Sequence, residues 1–228
     1  MRSRSRPEIR PVTLHLYIGN KAYSSWSLRP WLLLTAFGIP FDETVIPMYR
    51  AETRDAMLAV SPNGKVPALH AGDLVVSESI AIVEFLAESF PDLPIWPRDR
   101  AARALARAVS AEMHAGFLRL RQACPTNFRR PRRAMPIPAE VRADVDRIEA
   151  LWADARARFG QDGPFLFGAF CAADAMYAPV VNRLDTYAVP VRPETRAYME
   201  AVMALPAWRA WIAGGAAEPW HNDAYDAM

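Results

Sequence analysis

Two short stretches of the chain carry residues suited to holding a small peptide. Residues 65–69 read Lys-Val-Pro-Ala-Leu, and the proline interrupts an apolar, strand-like run although it has no N–H to donate to a sheet. One use of such a proline is a cis bond that turns the chain, so that the backbone N–H and C=O of Val66 face an extended peptide. An edge strand is the alternative interpretation of Pro67 taken alone.

The second stretch, residues 77–81, reads Ser-Glu-Ser-Ile-Ala and opens a helical pattern. The free N–H groups and the hydroxyl of Ser79 at a helix start suit a carboxylate, and the side chain of Glu78 suits an ammonium group. Together with Val66, these residues predict a receptor for a small peptide that carries one amine and several carboxylates.

A turn rich in hydroxyl groups is the third candidate for chemistry. Residues 23–27 read Tyr-Ser-Ser-Trp-Ser, and they lack the cysteine that dithiol redox chemistry would need at that place. A serine hydroxyl at a helix start can donate a hydrogen bond to a bound thiolate, and the helix dipole adds a partial positive charge there. Simple helix capping is the competing interpretation, and the two peptide-binding stretches favour thiolate stabilisation over it.

The order and spacing of these motifs resemble the glutathione site of the glutathione S-transferase family. Residues 24–29 align without gaps with the Ser-Ser-Cys signature and the arginine of the zeta class, and the likeness continues through 65–67 and 78–86. Two positions depart from the family pattern. Trp26 stands where the zeta class has its cysteine, and Cys171 stands where the main helix of the second domain usually begins with Ser or Thr.

The resemblance implies a role for each glutathione-binding residue. Ser24 would stabilise the thiolate with support from Ser25. Val66, next to Pro67, would pair with the cysteinyl backbone, and Lys65 would meet the glycyl carboxylate. The γ-glutamyl end would be held by Glu78 and Ser79.

The resemblance also implies a pocket for an electrophile beside the sulfur. Its candidate residues are Tyr23 and Trp26 from the first domain, and His114 and Phe117 from the second. Because the loop before Ser24 is about two residues longer than in the family, the question of whether Tyr23, Ser24 or Ser25 faces the sulfur stays open.

The elements that must position these residues follow from the hydrophobic periodicity. The first part predicts a βαβ unit followed by a ββα unit, an order that resembles a thioredoxin-like domain. The predicted strands are 12–18, 41–46, 66–70 and 74–76, and the predicted helices are 26–37, capped by Ser25 or Ser27, 51–60 and 79–89.

The second part shows helical patterns and no strand pattern, which predicts an all-α bundle of roughly five helices. The predicted helices are 99–122, 139–160, 171–184, 193–204 and 206–212, with a proline- and arginine-rich loop at 125–138. The expected organisation is therefore a disordered lead-in at 1–11, a thioredoxin-like domain at 12–90, a proline-rich linker at 91–98 and a helical domain at 99–228.

Composition narrows the functional classes. The chain has 228 residues, of which 52% are hydrophobic and 23% charged, and it has no apolar stretch of the ~20 residues that a membrane helix needs. Only two cysteines are present and no CxxC occurs, so we expect neither a disulfide scaffold nor a metal site, and a cytoplasmic location. Residues 98–133 carry an excess of eight positive charges, which favours either an anionic co-substrate or a solvated basic surface.

The sequence thus predicts a cytosolic glutathione S-transferase that attacks a small hydrophobic electrophile with the thiolate of glutathione. We expect it to be a homodimer without nucleic-acid or membrane partners. Two alternatives remain open at this point: a glutathione-dependent isomerase or thiol lyase at the same site, and a non-catalytic member of the family that serves as an interaction module.

Overall fold

A four-stranded mixed sheet and three helices form the N-terminal part of the computed structural model, which describes residues 13–227. The sheet order is β2-β1-β3-β4, in which β1 and β2 are parallel and the other neighbours are antiparallel. The elements are β1 (Leu14–Gly19), α1 (Ser25–Ala36), β2 (Asp42–Ile46), α2 (Thr53–Val60), β3 (Ala68–Ala71), β4 (Leu74–Ser77) and α3 (Ser79–Ser89). This arrangement confirms the predicted thioredoxin-like fold, while the predicted lead-in at 1–11 lies outside the described residues.

Helix α1 connects the sheet with the helical domain. It contacts α3 on the sheet side and the helices Ala172–Thr186 and Pro206–Ala217 of the helical part. It therefore buries a continuous run from Ser27 to Leu34. Its N-cap is Ser24, whose hydroxyl oxygen accepts from the N–H of Ser27. The predicted cap at Ser25 or Ser27 was therefore wrong, because the helix begins one residue earlier than the apolar pattern indicates.

The remaining helices form the C-terminal part and confirm its all-helical character. They are α4 (Arg100–Ala115), α5 (Leu118–Ala123), α6 (Ala139–Phe159), α7 (Ala172–Thr186), α8 (Pro193–Met203), α9 (Pro206–Ala217) and α10 (Asp223–Asp226). Helix α7 is the centre of the bundle: all of its residues except Asp185 are buried, and it contacts α1, α4 and α8.

One predicted helix, 99–122, is two helices in the structure. The chain leaves the helical path at Gly116 and Phe117, where Phe117 adopts a left-handed backbone with φ of 59°. Helical periodicity continues in the sequence across this break, so the pattern alone predicted one element. The break matters for the site because it turns α5, and with it Arg121, across the end of α4.

The predicted linker is packed rather than extended away from the domains. Ile95 and Trp96 are buried, and the carbonyl of Ile95 accepts from the N–H of Ala172 at 2.7 Å. This contact ties the segment to the first turn of α7. Across residues 13–227, no helix combines the length and the apolar character that crossing a membrane would require.

Candidate functional site

A cleft of about 650 Å³ lies between the thioredoxin-like part and the helical part. The start of α1, the segment before β3 and the start of α3 form one side, and α4, α5 and α7 contribute to the other. Ten of the eleven residues singled out from the sequence line this cleft: Tyr23, Ser24, Ser25, Trp26, Lys65, Val66, Pro67, Glu78, Ser79 and His114.

The eleventh residue, Phe117, is placed elsewhere. Its side chain is buried in the hydrophobic core and is not among the residues that line the cleft. The left-handed backbone at this position turns α5 away from α4, so the helical register that would have put Phe117 beside His114 does not hold.

Ser24 stands at the start of a short chain of hydroxyl groups. Its Oγ lies 2.8 Å from Oγ of Ser27, which in turn accepts from the N–H of Gly19 at 3.0 Å. Because each hydroxyl can donate one bond and accept others, Ser27 can donate to Ser24 and leave the Ser24 proton free to donate into the cleft. Ser25, the first residue of α1, is more exposed and has no side-chain partner among the described residues.

The hydroxyl of Tyr23 forms its hydrogen bonds with the C-terminal segment and not with the serines. It donates to the carboxylate of Asp226 at 2.9 Å and accepts from the N–H of Asn222 at 3.1 Å. Burial raises the pKa of this phenol, so it does not ionise near neutral pH. The ring of Tyr23 lines the cleft, while its hydroxyl serves the C-terminal segment.

The two peptide-binding stretches meet at the side of the cleft formed by the sheet. The Val66–Pro67 bond is cis, and the pairing of β3 begins only at Ala68, so the backbone of Val66 stays outside the ladder. Glu78 has a φ of 74° and precedes the first residue of α3, where Ser79 is fully buried.

Asn63 is a positioning residue that the sequence reasoning did not identify. Its side-chain oxygen Oδ1 accepts from the N–H of Lys65 at 3.0 Å, and its side-chain nitrogen Nδ2 lies 3.5 Å from the carboxylate of Glu78. It therefore connects the two peptide-binding stretches. Asn63 belongs to the Ser-Pro-Asn-Gly run at 61–64, which is typical of a turn. That turn pattern was the one sequence feature that pointed to this residue.

Trp26 lies between two guanidinium groups. The side chain of Arg29 lies 4.1 Å from the ring centroid and that of Arg121 lies 4.8 Å from it, while the ring of His114 meets the indole edge-on at 5.1 Å. Such contacts stabilise a cation over an aromatic face. The residue that replaces the zeta-class cysteine is therefore the partner of one buried charge, Arg29, and one half-buried charge, Arg121.

His114 is held neutral by its surroundings. Burial lowers the pKa of its imidazole, and the nearby charge of Arg29 lowers it further, whereas Glu78, 3.7 Å from Nε2, acts in the opposite direction. A neutral imidazole at this place can accept a proton or a hydrogen bond at one ring nitrogen and donate a hydrogen bond from the other.

The basic loop, for which the sequence left open an anionic co-substrate or a solvated surface, makes contacts within the fold. Arg129 donates to the carbonyls of Gly215, Glu218 and Trp220, and Arg132 pairs with Asp185 at 3.3 Å. Arg130 donates to the carbonyl of Thr186. These bonds fix the loop and the C-terminal residues 218–227, which we call the strap, and they argue against an anion-selecting role for this loop.

The strap completes one end of the cleft. Tyr225 lines it and packs against Tyr23 and Tyr49, with ring centroids 5.9 and 5.6 Å apart. Because nothing in the sequence of the strap forms a recognisable pattern, its place in the site was not predicted. Within residues 13–227 there is no cluster of three or more His, Cys, Asp or Glu side chains that could hold a metal ion.

Known proteins resemble this chain in both parts. Residues 23–89 match the glutathione S-transferase N-terminal domain and residues 137–214 match the glutathione S-transferase C-terminal domain. Together the two matches cover well over half of the 228 residues.

Two curated relatives carry isomerase names. A probable maleylacetoacetate isomerase of Caenorhabditis elegans is 31% identical over 102 residues, which are 45% of this chain and 47% of that protein. A maleylpyruvate isomerase of Ralstonia is 33% identical over 103 residues, which are 41% and 49% of the two chains. The matched region thus spans about half the length of these relatives.

Among solved structures, a glutathione transferase homologue from Burkholderia with bound glutathione has a TM-score of 0.69 at 24% identity, covering 90% of this chain and all of that one. Human glutathione S-transferase T1-1 has a TM-score of 0.64 at 21% identity, over 90% and 92% of the two chains. These likenesses show a shared fold. With both domain matches in chain order and the cleft between them, the chain belongs to the glutathione S-transferase family.

Proposed function

We propose that this protein binds glutathione in the cleft and transfers its thiolate to a small electrophile. The observation that supports this most directly is the convergence of the hydroxyl of Ser24, the free backbone of Val66 and the Glu78-Ser79 helix start on one cavity. In the proposed complex, Ser24 donates to the sulfur and Ser25 supports the helix start. Val66, beside Pro67, pairs with the cysteinyl backbone.

The ends of the tripeptide are held by charge and by the helix start in this proposal. Lys65 meets the glycyl carboxylate, while Glu78 meets the ammonium and Ser79 the carboxylate of the γ-glutamyl end. The first turn of α3 offers unpaired N–H groups to that carboxylate. The Burkholderia homologue contains bound glutathione, which supports glutathione as the ligand in this proposal.

Calorimetric titration with glutathione tests binding, and a panel of electrophiles tests turnover. We expect binding at or below millimolar concentration and conjugation of at least one electrophile. No heat up to several millimolar glutathione would overturn the enzymatic proposal. Binding without turnover on a broad panel would instead support the non-catalytic interaction module.

A glutathione-dependent isomerase is the second candidate. The isomerase names of the two curated relatives favour it, whereas Trp26 at the position of the zeta-class cysteine disfavours it. Incubation with a cis-configured unsaturated diacid and glutathione separates the two functions, because an isomerase returns glutathione unchanged and a transferase consumes it.

The homodimer is also part of this proposal. Strand β4 is the edge of the sheet, and its Leu74 and Val75 are 50% and 37% exposed. Apolar side chains on an edge strand favour coverage by a partner, and a second copy is the simplest one. Light scattering at micromolar concentration should give twice the 25.5 kDa chain mass, and a monomer mass would contradict the dimer.

A cytoplasmic location completes the proposal. Cys124 and Cys171 are both free and buried, an arrangement common in reducing compartments. Fractionation of the producing cell, followed by immunodetection of the chain, tests it.

A further inference from the structure

Three arginines lie around the cleft: Arg29 and Arg183 are buried, and Arg121 is half-buried. Arg29, Arg121 and Arg183 have no carboxylate within ion-pair distance in the part of the chain that the structure describes, and each has a buried Nε without a hydrogen-bond partner. Arg183, only 6% exposed, donates to the hydroxyl of Thr126 at 2.6 Å. Arg121 donates to the carbonyls of Met113 and His114.

Neutral partners compensate a buried guanidinium only in part, since a charge removed from water is best stabilised by an opposite charge. The three groups also repel one another. Burial, followed by the charge of Arg121, lowers the pKa of Arg183 to about 10. Arg183 therefore stays protonated at neutral pH, and an anion placed beside it would relieve both effects.

Two of the three arginines face the cleft. Arg121 and Arg183 line it, while Arg29 lies beneath its floor, 2% exposed and 3.4 Å from the hydroxyl of Ser79. The only acidic residue among the described residues that line the cleft is Glu78, which is on the opposite, glutathione side. Arg121 and Arg183 therefore place positive charge on the helical side of the cleft. Burial lowers the pKa of Arg121, whereas the charge of Asp144 raises it, and Asp144 is not among the residues that line the cleft.

We propose that the electrophile is an anion, and that its carboxylate binds between Arg121 and Arg183. This inference rests on the proposed function and replaces the small hydrophobic electrophile with a carboxylated one. The guanidinium geometry suits a planar carboxylate, which can accept two bonds from each arginine. Glutathione itself does not account for the pair, because its carboxylates are assigned to Lys65 and Ser79 on the other side.

A matched pair of probes tests the inference by turnover. In 4-chloro-3,5-dinitrobenzoate and its methyl ester, the thiolate sulfur attacks the chlorinated carbon, a C–S bond forms, and chloride leaves with the electron pair of the C–Cl bond. Each kcat/KM is divided by the uncatalysed rate constant of the same probe. We expect the acid to be preferred by about tenfold or more, as charge-assisted hydrogen bonds imply.

Arg121→Gln and Arg183→Gln should each lower kcat/KM for the acid at least about fivefold more than kcat/KM for the ester, because only the acid carries the carboxylate. Arg119→Gln is the matched control, since Arg119 is an exposed residue of the same short helix. Equal losses for acid and ester, or an effect of Arg119→Gln as large as that of Arg121→Gln, would overturn the inference. So would a wild-type enzyme without a preference for the acid.

A binding measurement separates this inference from the proposed function. Unreactive 3,5-dinitrobenzoate and its methyl ester are titrated into the protein with and without glutathione, and each variant is first checked by its melting curve. Preferential binding of the acid without glutathione, abolished by Arg121→Gln, supports the anion site even if no transferase activity is found. Equal binding of acid and ester overturns the site whether or not glutathione binds, and this comparison decides the question if Arg183→Gln fails to fold.

Discussion

Ser24 is one end of the hydroxyl chain that also includes Ser27 and the N–H of Gly19. In the structure the Ser24 hydroxyl donates to Ser27; reversing this bond, so that Ser27 donates, would free the Ser24 proton for a thiolate. The helix dipole of α1 adds to the effect, because Ser24 is the N-cap. The residue that caps the helix and the residue proposed to activate glutathione are therefore the same.

We predict that Ser24→Ala raises the pKa of bound glutathione by about one to two units, because a hydrogen bond to a charged sulfur is worth about 1.5–3 kcal/mol. Ser27→Ala should raise it by less, since it removes only the donor behind Ser24. The ultraviolet absorbance of the bound thiolate against pH is the measurement.

Two neighbouring variants serve as controls for Ser24. Ser25→Ala should have a smaller effect than Ser24→Ala, and Tyr23→Phe the smallest, because the Tyr23 hydroxyl is bound to Asp226 and to the N–H of Asn222. A titration that shifts with Tyr23→Phe but not with Ser24→Ala would show that the tyrosine reorients toward the sulfur on binding.

At the scale of elements, the strap is held by polar contacts with side chains and backbone groups outside it. Arg129 binds the carbonyls of Glu218 and Trp220, and the N–H groups of Lys21 and Ala22 donate to the carboxylate of Glu218. Few apolar contacts are available to a segment this short, so these polar bonds determine whether Tyr225 stays at the cleft.

Arg129→Met should loosen the strap, with a loss of about 1–3 kcal/mol in the free energy of unfolding. Hydrogen exchange of residues 218–227 should accelerate while that of α7 changes little. Arg132→Met is the matched control from the same loop: the side chain of Arg132 is 58% exposed, and its ion pair with Asp185 should contribute at most about 1 kcal/mol. Unchanged exchange of the strap in Arg129→Met would contradict this account.

The start of α7 offers a stabilising substitution. Cys171 is its N-cap, and the carboxylate of Asp174 accepts from the Cys171 N–H at 2.9 Å. A thiol is a weaker acceptor than a hydroxyl, so Cys171→Ser should raise the free energy of unfolding by ~1 kcal/mol. Cys124→Ser, which places a hydroxyl at the buried C-cap of α5 rather than at the N-terminus of a helix, should lower it. A lower melting temperature for Cys171→Ser would count against the capping argument.

At the scale of the whole molecule, Asp174 links global stability to pH. Its carboxylate is fully buried at the junction of α7 and the loop before it, where it also accepts from the N–H of Leu166 at 3.1 Å. Burial raises its pKa from 3.8 to about 6, although the two backbone bonds act in the opposite direction. The folded state therefore binds the proton more tightly than the unfolded state does.

The stabilisation of the folded state that comes from this tighter proton binding is complete below pH 4, where both states are protonated. It is lost as the pH rises toward about 6. The difference in the free energy of unfolding between the wild type and Asp174→Asn should fall by about 3 kcal/mol over that range. Denaturant titrations at several pH values give this difference, and Asp146→Asn, at an exposed position of α6, should show no such fall. A difference that grows with pH would mean that the backbone bonds outweigh burial.

The sequence by itself determined the order of elements and most of the proposed glutathione side of the cleft. Helix α3 has the predicted bounds, Ser79–Ser89, because periodicity, a preceding serine-rich turn and a following proline are all local signals. The residues expected to hold glutathione lie within a few positions of element ends, so a correct element order places them on one edge.

Tertiary structure alone decided which side chains meet across the two domains. Arg29, Arg121 and Arg183 come from three helices separated by more than sixty residues of chain at each step, and only tertiary packing brings Arg29 and Arg121 to Trp26 and Arg121 and Arg183 to one cleft. The turn at Phe117 and the position of the strap at the end of the cleft depend likewise on contacts between residues that are far apart in the sequence. Local patterns report the backbone preferences of adjacent residues, whereas the charge of this cleft arises from long-range packing that leaves no periodic trace in the sequence.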